Sequence, residues 1–260
     1  MDFKTVLLHI SGGVARLTLN RPEVHNAFND EELRELTEAV KIVAADPAAR
    51  VLVLTGNGKS FCAGADLNWM KSVLSYTPEQ NKKDAAVLVD LMDMLEQMPK
   101  PVIGRINGAA VGGGVGLTAV CDIAIASSEA KFGFGEAKLG IIPAMISPYV
   151  LRKIGPGPAR DLFLTGDRFS ADRAKEIGLV NEVVPPEKLD EAVNARVASL
   201  LTSAPNAIAE AKKLIRLVPG MNVTEAREYT LAKIAELRSA PEGQEGMKAF
   251  LEKRKANWVK

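Results

Sequence analysis

The sequence predicts an α/β fold, because short apolar segments typical of strands alternate with segments of helical periodicity through most of the chain. Prolines mark the ends of the helical segments, and the chain beyond Pro185 and Pro186 has helical character throughout. The 260 residues fit one large domain or a core with an appendage. We therefore expect a mixed α/β core followed by a helical C-terminal region.

The first elements are a hairpin and a helix. Two apolar runs, residues 6–10 and 14–19, are separated by a glycine-bearing turn at 11–13, which is the signal of two antiparallel strands. From Asp30 onward apolar residues recur at helical spacing, and Pro47 marks the end of the pattern. The apolar positions of this helix are Leu33, Leu36, Val40 and Val43.

The later elements continue the alternation. Pro99 and Pro101 separate a long helical pattern from the strand that follows it, since proline disfavours helix both at its own position and at the residue before. In chain order, the remaining elements are a strand at 51–55, a helix near 79–97, strands at 102–106, 122–126 and 131–133, and C-terminal helices near 189–200, 207–217, 223–237 and 245–255.

Charge and hydropathy exclude two classes of partner. Lys and Arg number 33 and Asp and Glu number 32, a net charge of +1, so the chain lacks the positive field that binding to a phosphate backbone requires. The longest uncharged stretch, 106–121, holds 16 residues and falls short of the roughly 20 that a membrane-spanning helix needs. No signal or transit segment is evident at the start. We expect a cytoplasmic protein that binds neither nucleic acid nor membrane.

Cysteine and histidine usage limits the chemistry. Cys62 and Cys121 are the only cysteines, and His9 and His25 the only histidines. These are too few for a disulfide framework or a Cys/His zinc cage, so no metal site is expected. The chemistry must therefore rest on carboxylates, hydroxyls, amines or the backbone.

Three segments are candidates for that chemistry. Residues 60–67 follow a predicted strand through a glycine-bearing loop, and their small side chains leave the backbone accessible. Residues 112–114 are three glycines that can open a helix, where bare N–H groups favour negative charge, although a tightly packed strand-to-helix turn would look the same. Glu136 lies between glycines and an apolar run, a setting that raises a carboxyl pKa, although a capping role is the alternative.

Taken together, the motifs resemble those of the crotonase family, the enoyl-CoA hydratases and isomerases. The resemblance covers the whole chain, and the order of the motifs carries it. The matching segments are 20–22 with 26–27, 61–66, 100–103, 107–108 with 112–114, 121–122, 139–143, 164–166 and 246–254.

The resemblance implies a superhelix of β-β-α units followed by a helical trimerisation region. It divides the chain into a core with the CoA-ester site, residues 1–195, and a helical region for oligomerisation, residues 196–260. The expected assembly is a homotrimer or a dimer of trimers. The substrate would be an acyl-CoA thioester, so that coenzyme A belongs to the substrate and no separate cofactor is needed.

The resemblance also assigns roles to individual residues. The backbone N–H groups of Ala65 and Gly113 would form an oxyanion hole for the thioester enolate, and Glu136 would exchange protons. Contacts to CoA would come from Glu23, Val24, His25, Ala63 and Leu67, and from Phe250 and Lys253 of a neighbouring subunit. Glu23 departs from relatives that often carry lysine there.

The family's hydratases use two glutamates, and here the sequence departs from the pattern. One aligns with Glu136, whereas the position of the other is occupied by Gly116. Hydration would then use Glu136 alone or with a helper such as Asp161. The pattern around Asp161 favours an ordinary solvent-exposed helix residue over that role. Double-bond isomerisation or decarboxylation would need only one carboxylate. Binding of RNA, as by some relatives, is the remote non-enzyme alternative, and the net charge argues against it.

Two expectations concern the acyl pocket. The segment 144–150 resembles that of methylglutaconyl-CoA hydratases, which favours a branched or carboxylated 2-enoyl-CoA as substrate. Met145 and Ile146 would either narrow the pocket or pack in the core. If the missing carboxylate limits hydration, Gly116→Glu should raise hydration of crotonyl-CoA, provided that the helix has room for the side chain.

Overall fold

The computed structural model describes residues 3–259 and confirms the α/β fold. The larger of its two sheets has six strands, which are parallel except for the antiparallel pair at the N-terminal edge. In spatial order these strands are β1 (Val6–Ser11), β2 (Val14–Leu19), β3 (Val51–Gly56), β5 (Val102–Ile106), β7 (Ile123–Ser127) and β10 (Glu182–Val184). The predicted hairpin is therefore confirmed, and it lies at the edge of the sheet.

The smaller sheet has four short strands. Its first three strands are parallel and its last pair is antiparallel. In spatial order they are β4 (Ser60–Cys62), β6 (Ala109–Val111), β8 (Lys131–Gly133) and β9 (Arg168–Ser170). Each of β3, β5 and β7 is thus followed in the chain by a strand of the small sheet, which gives the β-β-α repeat that the resemblance implies.

Helices connect and cover the two sheets. The helix predicted from Asp30 begins at that residue, where the side chain of Asn29 caps it by accepting a hydrogen bond from Glu32 N. Within residues 3–259 the α-helices are α1 (Asp30–Ala45), α2 (Leu67–Val73), α3 (Pro78–Gln97), α4 (Gly113–Val120), α5 (Ser147–Ile154), α6 (Pro156–Thr165), α7 (Ala171–Glu176), α8 (Leu189–Leu201), α9 (Pro205–Leu217), α10 (Val223–Ser239) and α11 (Pro241–Leu251).

The larger sheet is buried on both faces, as its continuous apolar strands require. Leu52 and Leu54 of β3 point into the main core beneath α1 and α3, whereas Val51 and Val53 point to the opposite face. Helix α8 covers that second face with Leu189, Val193 and Val197. Full burial of one such side chain contributes roughly 1.5–3 kcal/mol, so the four apolar residues of β3 together contribute substantially to stability.

The last helix differs from the sequence-based expectation. The pattern predicts a helix near 245–255, whereas α11 starts at Pro241 and ends at Leu251. Proline fits the first turn because its missing N–H needs no partner there. Lys253 then adopts a left-handed conformation with φ of 55°, and Arg254 N donates to Ala249 O at 3.0 Å, so the chain turns away from the helix axis.

The final residues return to the core. Arg50 donates to the carbonyl oxygens of Trp258 at 2.8 Å and Ser203 at 2.6 Å, and Trp258 Nε1 donates to Thr202 O at 3.1 Å. The division of the chain at residues 195 and 196 stays a prediction, and it lies inside α8. Among residues 3–259, every helix is too short or too polar to cross a bilayer.

Candidate active site

The loop around Ala65 is held by the backbone of Phe28. Phe28 N donates to Gly64 O at 2.6 Å, and Asp66 N donates to Phe28 O at 2.8 Å. These two hydrogen bonds flank Ala65 and leave its own N–H without an acceptor among the described residues. Gly64 makes this arrangement possible, because its φ of 92° is one that residues with a side chain rarely adopt.

The start of α4 lies against the same loop. A methyl group on Gly64 would come within 2.9 Å of Val111 O and 3.9 Å of Gly113 N, so the chain segments before the two predicted donors are in contact. Gly112 N donates to Gly133 O at 2.9 Å, whereas Gly113 N, the first of the helix, has no acceptor within residues 3–259. Two bare N–H groups, those of Ala65 and Gly113, therefore lie in neighbouring segments.

Glu136 completes the cluster of predicted catalytic residues. It begins a 3-10 turn, Glu136–Leu139, three residues after β8 ends at Gly133. Its Oε1 lies 3.2 Å from where a side chain on Gly112 would begin, and its Oε2 is buried without a hydrogen-bond partner in the described chain. Burial raises the pKa of this carboxyl above its usual range. A raised pKa makes this carboxyl a better proton donor and acceptor for a reaction than an ordinary glutamate.

Arg21 and Asn26 fix the approach to this cluster. Arg21 Nη2 donates to Asp66 Oδ2 at 2.8 Å, and Asp66 in turn caps α2 by accepting from Asn68 N at 2.7 Å. Burial opposes the ionisation of Asp66, but these hydrogen bonds hold its pKa below the usual range. Asn26 is fully buried in a left-handed conformation, and its amide donates to three carbonyl oxygens, those of Asn57, Ser60 and Phe61.

The residues expected to bind CoA fall into two groups. Ala63 N donates to His25 O at 3.0 Å, and His25 Nδ1 lies 3.0 Å from Ser60 Oγ, so the 23–25 turn and the 63–67 segment form one rim. The members of this rim are Glu23, Val24, His25, Ala63 and Leu67. Phe250 and Lys253 stand apart at the end of α11, and no hydrogen bond of the described chain joins them to the rim.

The structure leaves no room for a side chain at position 116. A methyl group on Gly116 would lie 2.4 Å from Ile146 Cγ2 and 3.0 Å from Met92 Cε. Ile146 packs in the core and does not line an open pocket, since only 2% of the residue is exposed. The expected gain in hydration from Gly116→Glu requires room for the new side chain in the helix, and the structure does not provide that room. Asp161 is an exposed residue of α6, in line with the solvated reading.

Sequence reasoning missed one ionisable residue near the cluster. Glu32 on α1 is fully buried, its two carboxyl oxygens have no hydrogen-bond partner in the described chain, and its nearest cation is Arg21 at 4.0 Å. Burial raises its pKa to about 8, and the charge of Arg21 does not offset that. The helical spacing could have indicated that Glu32 is buried, because position 32 lies four residues before Leu36 on the buried face of α1.

Two other features lie outside the cluster. A polar cleft of about 490 Å³ is lined by residues of α1 and α2 together with Arg21 and Asp66, but not by Glu136, Ala65 or Gly113. Cys62 and Cys121 are free and buried, and burial raises the pKa of both thiols, so neither is suited to act as a nucleophile.

Comparisons with known proteins point to a single family. The family model described as enoyl-CoA hydratase/isomerase matches residues 9–260. A crotonyl-CoA hydratase of Syntrophomonas wolfei is 37% identical over 100% of this chain and 99% of its own, and an (E)-benzylidenesuccinyl-CoA hydratase of Thauera aromatica is 37% identical over 96% of each. The crystal structure of an enoyl-CoA hydratase from Shewanella pealeana superposes with a TM-score of 0.96 at 39% identity, covering 99% of this chain and 97% of that one.

Proposed function

The chain belongs to the enoyl-CoA hydratase/isomerase family, and we propose that it is a hydro-lyase that adds water to a 2-enoyl-CoA. One observation carries the proposal. The bare N–H groups of Ala65 and Gly113 lie in contacting segments, and the carboxyl of Glu136, whose Oε2 has no partner in the described chain, lies against Gly112 next to them. An oxyanion hole beside a carboxyl of raised pKa is what proton exchange at the α-carbon of a thioester requires.

The proposed reaction uses these groups in turn. The thioester oxygen accepts hydrogen bonds from Ala65 N–H and Gly113 N–H, which stabilise the negative charge that develops on it. The Glu136 carboxylate takes a proton from water as the water oxygen bonds to C3, and the electrons of the double bond move toward the thioester oxygen. The protonated Glu136 then returns a proton to C2, which gives a 3-hydroxyacyl-CoA with the carboxylate regenerated. Coenzyme A leaves with the product, and no further cofactor is proposed.

The proposed substrate is branched or carboxylated, of the methylglutaconyl-CoA type. The likeness of segment 144–150 to hydratases of such substrates supports this, and so does the named substrate of the Thauera aromatica relative, which carries a carboxylate. The name of the Syntrophomonas wolfei relative favours an unbranched substrate instead, so crotonyl-CoA is the comparison compound.

Double-bond isomerisation is the second candidate. It is favoured by Gly116, because one carboxylate suffices to take a proton from C2 of a 3-enoyl-CoA and return it to C4. Here Glu136 would act as base and then as acid, with the same two N–H groups on the enolate. Decarboxylation has no specific observation in its favour.

A substrate panel separates the candidates. Purified protein is incubated with crotonyl-CoA, 3-hexenoyl-CoA and methylglutaconyl-CoA, and products are identified by mass spectrometry. Hydration adds the mass of one water, whereas isomerisation leaves the mass unchanged and creates the conjugated absorbance of a 2-enoyl thioester. We expect hydration, fastest with methylglutaconyl-CoA. Turnover of 3-hexenoyl-CoA alone would establish the isomerase, and inertness toward all three would refute both.

We also propose a homotrimer or a dimer of trimers. The end of α11 supports this, because Phe250 is 83% and Leu251 79% exposed, an apolar surface that a neighbouring subunit could cover. Phe250 and Lys253 would then complete the neighbour's CoA site. Light scattering at assay concentration should give a multiple of three chains. A fully active monomer would contradict this proposal, which leaves the reaction itself untouched.

A further inference from the structure

We propose that Phe28 is a positioning residue, which sets the two halves of the oxyanion hole at a fixed distance from each other. This inference rests on the proposed function, since it concerns the two N–H groups assigned to the thioester oxygen. Phe28 precedes α1, is only 1% exposed and carries no polar side-chain atom. It touches neither substrate nor reacting atoms in the proposed mechanism.

The backbone of Phe28 holds one half. Its N–H donates to Gly64 O at 2.6 Å and its carbonyl accepts from Asp66 N at 2.8 Å. Since both neighbours of Ala65 are tied to the same residue, the peptide plane that carries the Ala65 N–H has little freedom to rotate. The 28–65 contact is an isolated parallel bridge, so no neighbouring ladder supplies this restraint.

The ring of Phe28 holds the other half. A methyl group on Gly113 would lie 2.7 Å from Phe28 Cε2 and 3.0 Å from Cδ2, so the ring edge contacts the first residue of α4 directly. Leu88 Cδ2 is the next nearest atom to that methyl position, at 3.7 Å, an ordinary contact. Gly113 does not have a positive φ, so alanine would be strained there by the Phe28 ring and not by the backbone.

One residue therefore contacts both donors through different parts of itself. A change in the position of the ring shifts Gly113 relative to Ala65, and misplacing a catalytic group by about 1 Å can cost on the order of 100-fold in rate. Substitution of Phe28 should consequently lower kcat more than it raises KM, because ground-state binding of CoA depends on other residues.

A double-mutant cycle tests this coupling. Gly113→Ala keeps the N–H group but adds a methyl that clashes with the Phe28 ring. Phe28→Leu replaces the ring with a smaller side chain. The third variant combines the two substitutions. We expect kcat to fall on the order of 100-fold in Gly113→Ala and about tenfold in Phe28→Leu. The combined variant should recover at least about tenfold over Gly113→Ala, because leucine makes room for the added methyl. Val43→Ala, a buried change near the C-terminal end of α1, controls for general loss of stability and should keep kcat within about twofold.

A second readout follows the oxyanion hole without turnover. Butyryl-CoA labelled with ¹³C at the thioester carbonyl cannot be hydrated, and its infrared carbonyl band moves to lower frequency when donors polarise it. The shift should be largest in the parent, reduced in each single variant and partly restored in the combined one. Should Gly113→Ala fold poorly, Phe28→Leu alone carries the test, since a parent-like band shift and kcat in that variant would overturn the proposal.

The outcomes separate this inference from the proposed function. If the parent hydrates an enoyl-CoA and the kcat losses of the two substitutions simply multiply in the combined variant, the role of Phe28 is overturned. The proposed hydratase activity then still holds. A coupled carbonyl shift in a protein that hydrates no enoyl-CoA would support Phe28 and remove the hydratase.

Discussion

At the scale of single residues, Glu32 and Glu136 combine a buried carboxyl oxygen that has no hydrogen-bond partner within the described residues with a pKa that burial raises. Glu210 shares the first feature, but its hydrogen bond with Lys213 lowers its pKa. Glu136 Oε1 lies 3.2 Å from the Cβ position of Gly112, next to the bare N–H of Gly113, and this carboxyl has a proposed reaction to perform. Glu32 lies behind the same loop and has none, so its raised pKa is a cost to the fold.

Glu32 makes the stability of the fold depend on pH. Its pKa is raised from 4.5 to about 8, so the folded chain keeps a proton that the unfolded chain loses between these values. This contribution to stability is complete below pH 4.5 and is lost as pH rises through about 8. We expect Glu32→Met to remove that loss and to raise the free energy of unfolding at pH 8 by on the order of a few kcal/mol.

Urea unfolding of parent and Glu32→Met from pH 5 to pH 9 measures the difference. The gap in unfolding free energy should widen with pH and level off above about 8. Glu31→Met, which changes a half-buried neighbour of the same type paired with the exposed Lys4, is the matched control and should leave the pH profile unchanged. Parallel profiles for the parent and Glu32→Met would show that Glu32 is not protonated in the fold.

Ile146 fills the space that a side chain at position 116 would need. Gly116→Glu alone should lower Tm, because Ile146 Cγ2 stands 2.4 Å from the new Cβ and such overpacking costs about 1–3 kcal/mol or more. Combining it with Ile146→Gly removes both of the Ile146 contacts and should restore folding. Tm and the rate of crotonyl-CoA hydration are then compared across the single and double variants. A Gly116→Glu single variant with parental Tm would contradict the packing described here.

Several of these residue-scale features could not be predicted from the sequence. The bare N–H groups at Ala65 and Gly113 were expected from the resemblance, and the structure places them in contacting segments. Phe28 gave no signal, because a buried phenylalanine beside a loop looks like any other core residue. For Ile146 the sequence allows either a place in the acyl pocket or a place in the core, since its distance to Gly116 depends on how α4 packs against the chain before α5.

At the scale of elements, long strands were easier to predict than short ones. Continuous apolar runs and proline punctuation indicated β3 and β5, which the structure confirms. β4, β6, β9 and β10 have three residues each, too few to display an alternation, and the sequence does not predict them, whereas the equally short β8 is predicted. These short strands bring β4 and β6 side by side, and the two donor segments follow them.

Helix α9 is attached to the larger sheet by one polar side chain. Lys212 Nζ donates to Asp122 Oδ2 at 2.6 Å and to Lys100 O at 3.0 Å, and the same Asp122 oxygen accepts from Val102 N at 2.7 Å. Lys212 is 11% and Asp122 29% exposed, so the pair is partly shielded from water. Lys212→Met should lower the free energy of unfolding by about 1–3 kcal/mol, because Asp122 loses its cation.

Thermal unfolding tests this attachment with a neighbour as control. Lys213→Met changes a residue whose side chain is 51% exposed and should cost less than 1 kcal/mol, as surface pairs do. Equal Tm values for the two variants would mean that the contact of Lys212 with the sheet does not hold α9 in place.

At the scale of the whole molecule, the β-β-α repeat explains why the active cluster forms where it does. Successive units deliver the chain to the small sheet in register, so Ala65, Gly113 and Glu136 each follow a strand of that sheet, β4, β6 and β8. Residues far apart in the sequence thereby meet at one edge. The C-terminal helices contribute no residue to this cluster within one chain.

The most direct test of the account is hydration of a 2-enoyl-CoA in D₂O by the parent and by Glu136→Gln. NMR of the product from the parent should show a 3-hydroxyacyl-CoA with one deuteron at C2. Glu136→Gln should lose turnover by about 100-fold or more while still binding CoA esters, because it keeps size and polarity but cannot exchange a proton. Glu129→Gln, an exposed glutamate, is the control. Parental activity in Glu136→Gln would contradict the account, because no other carboxyl has been placed beside the two N–H groups.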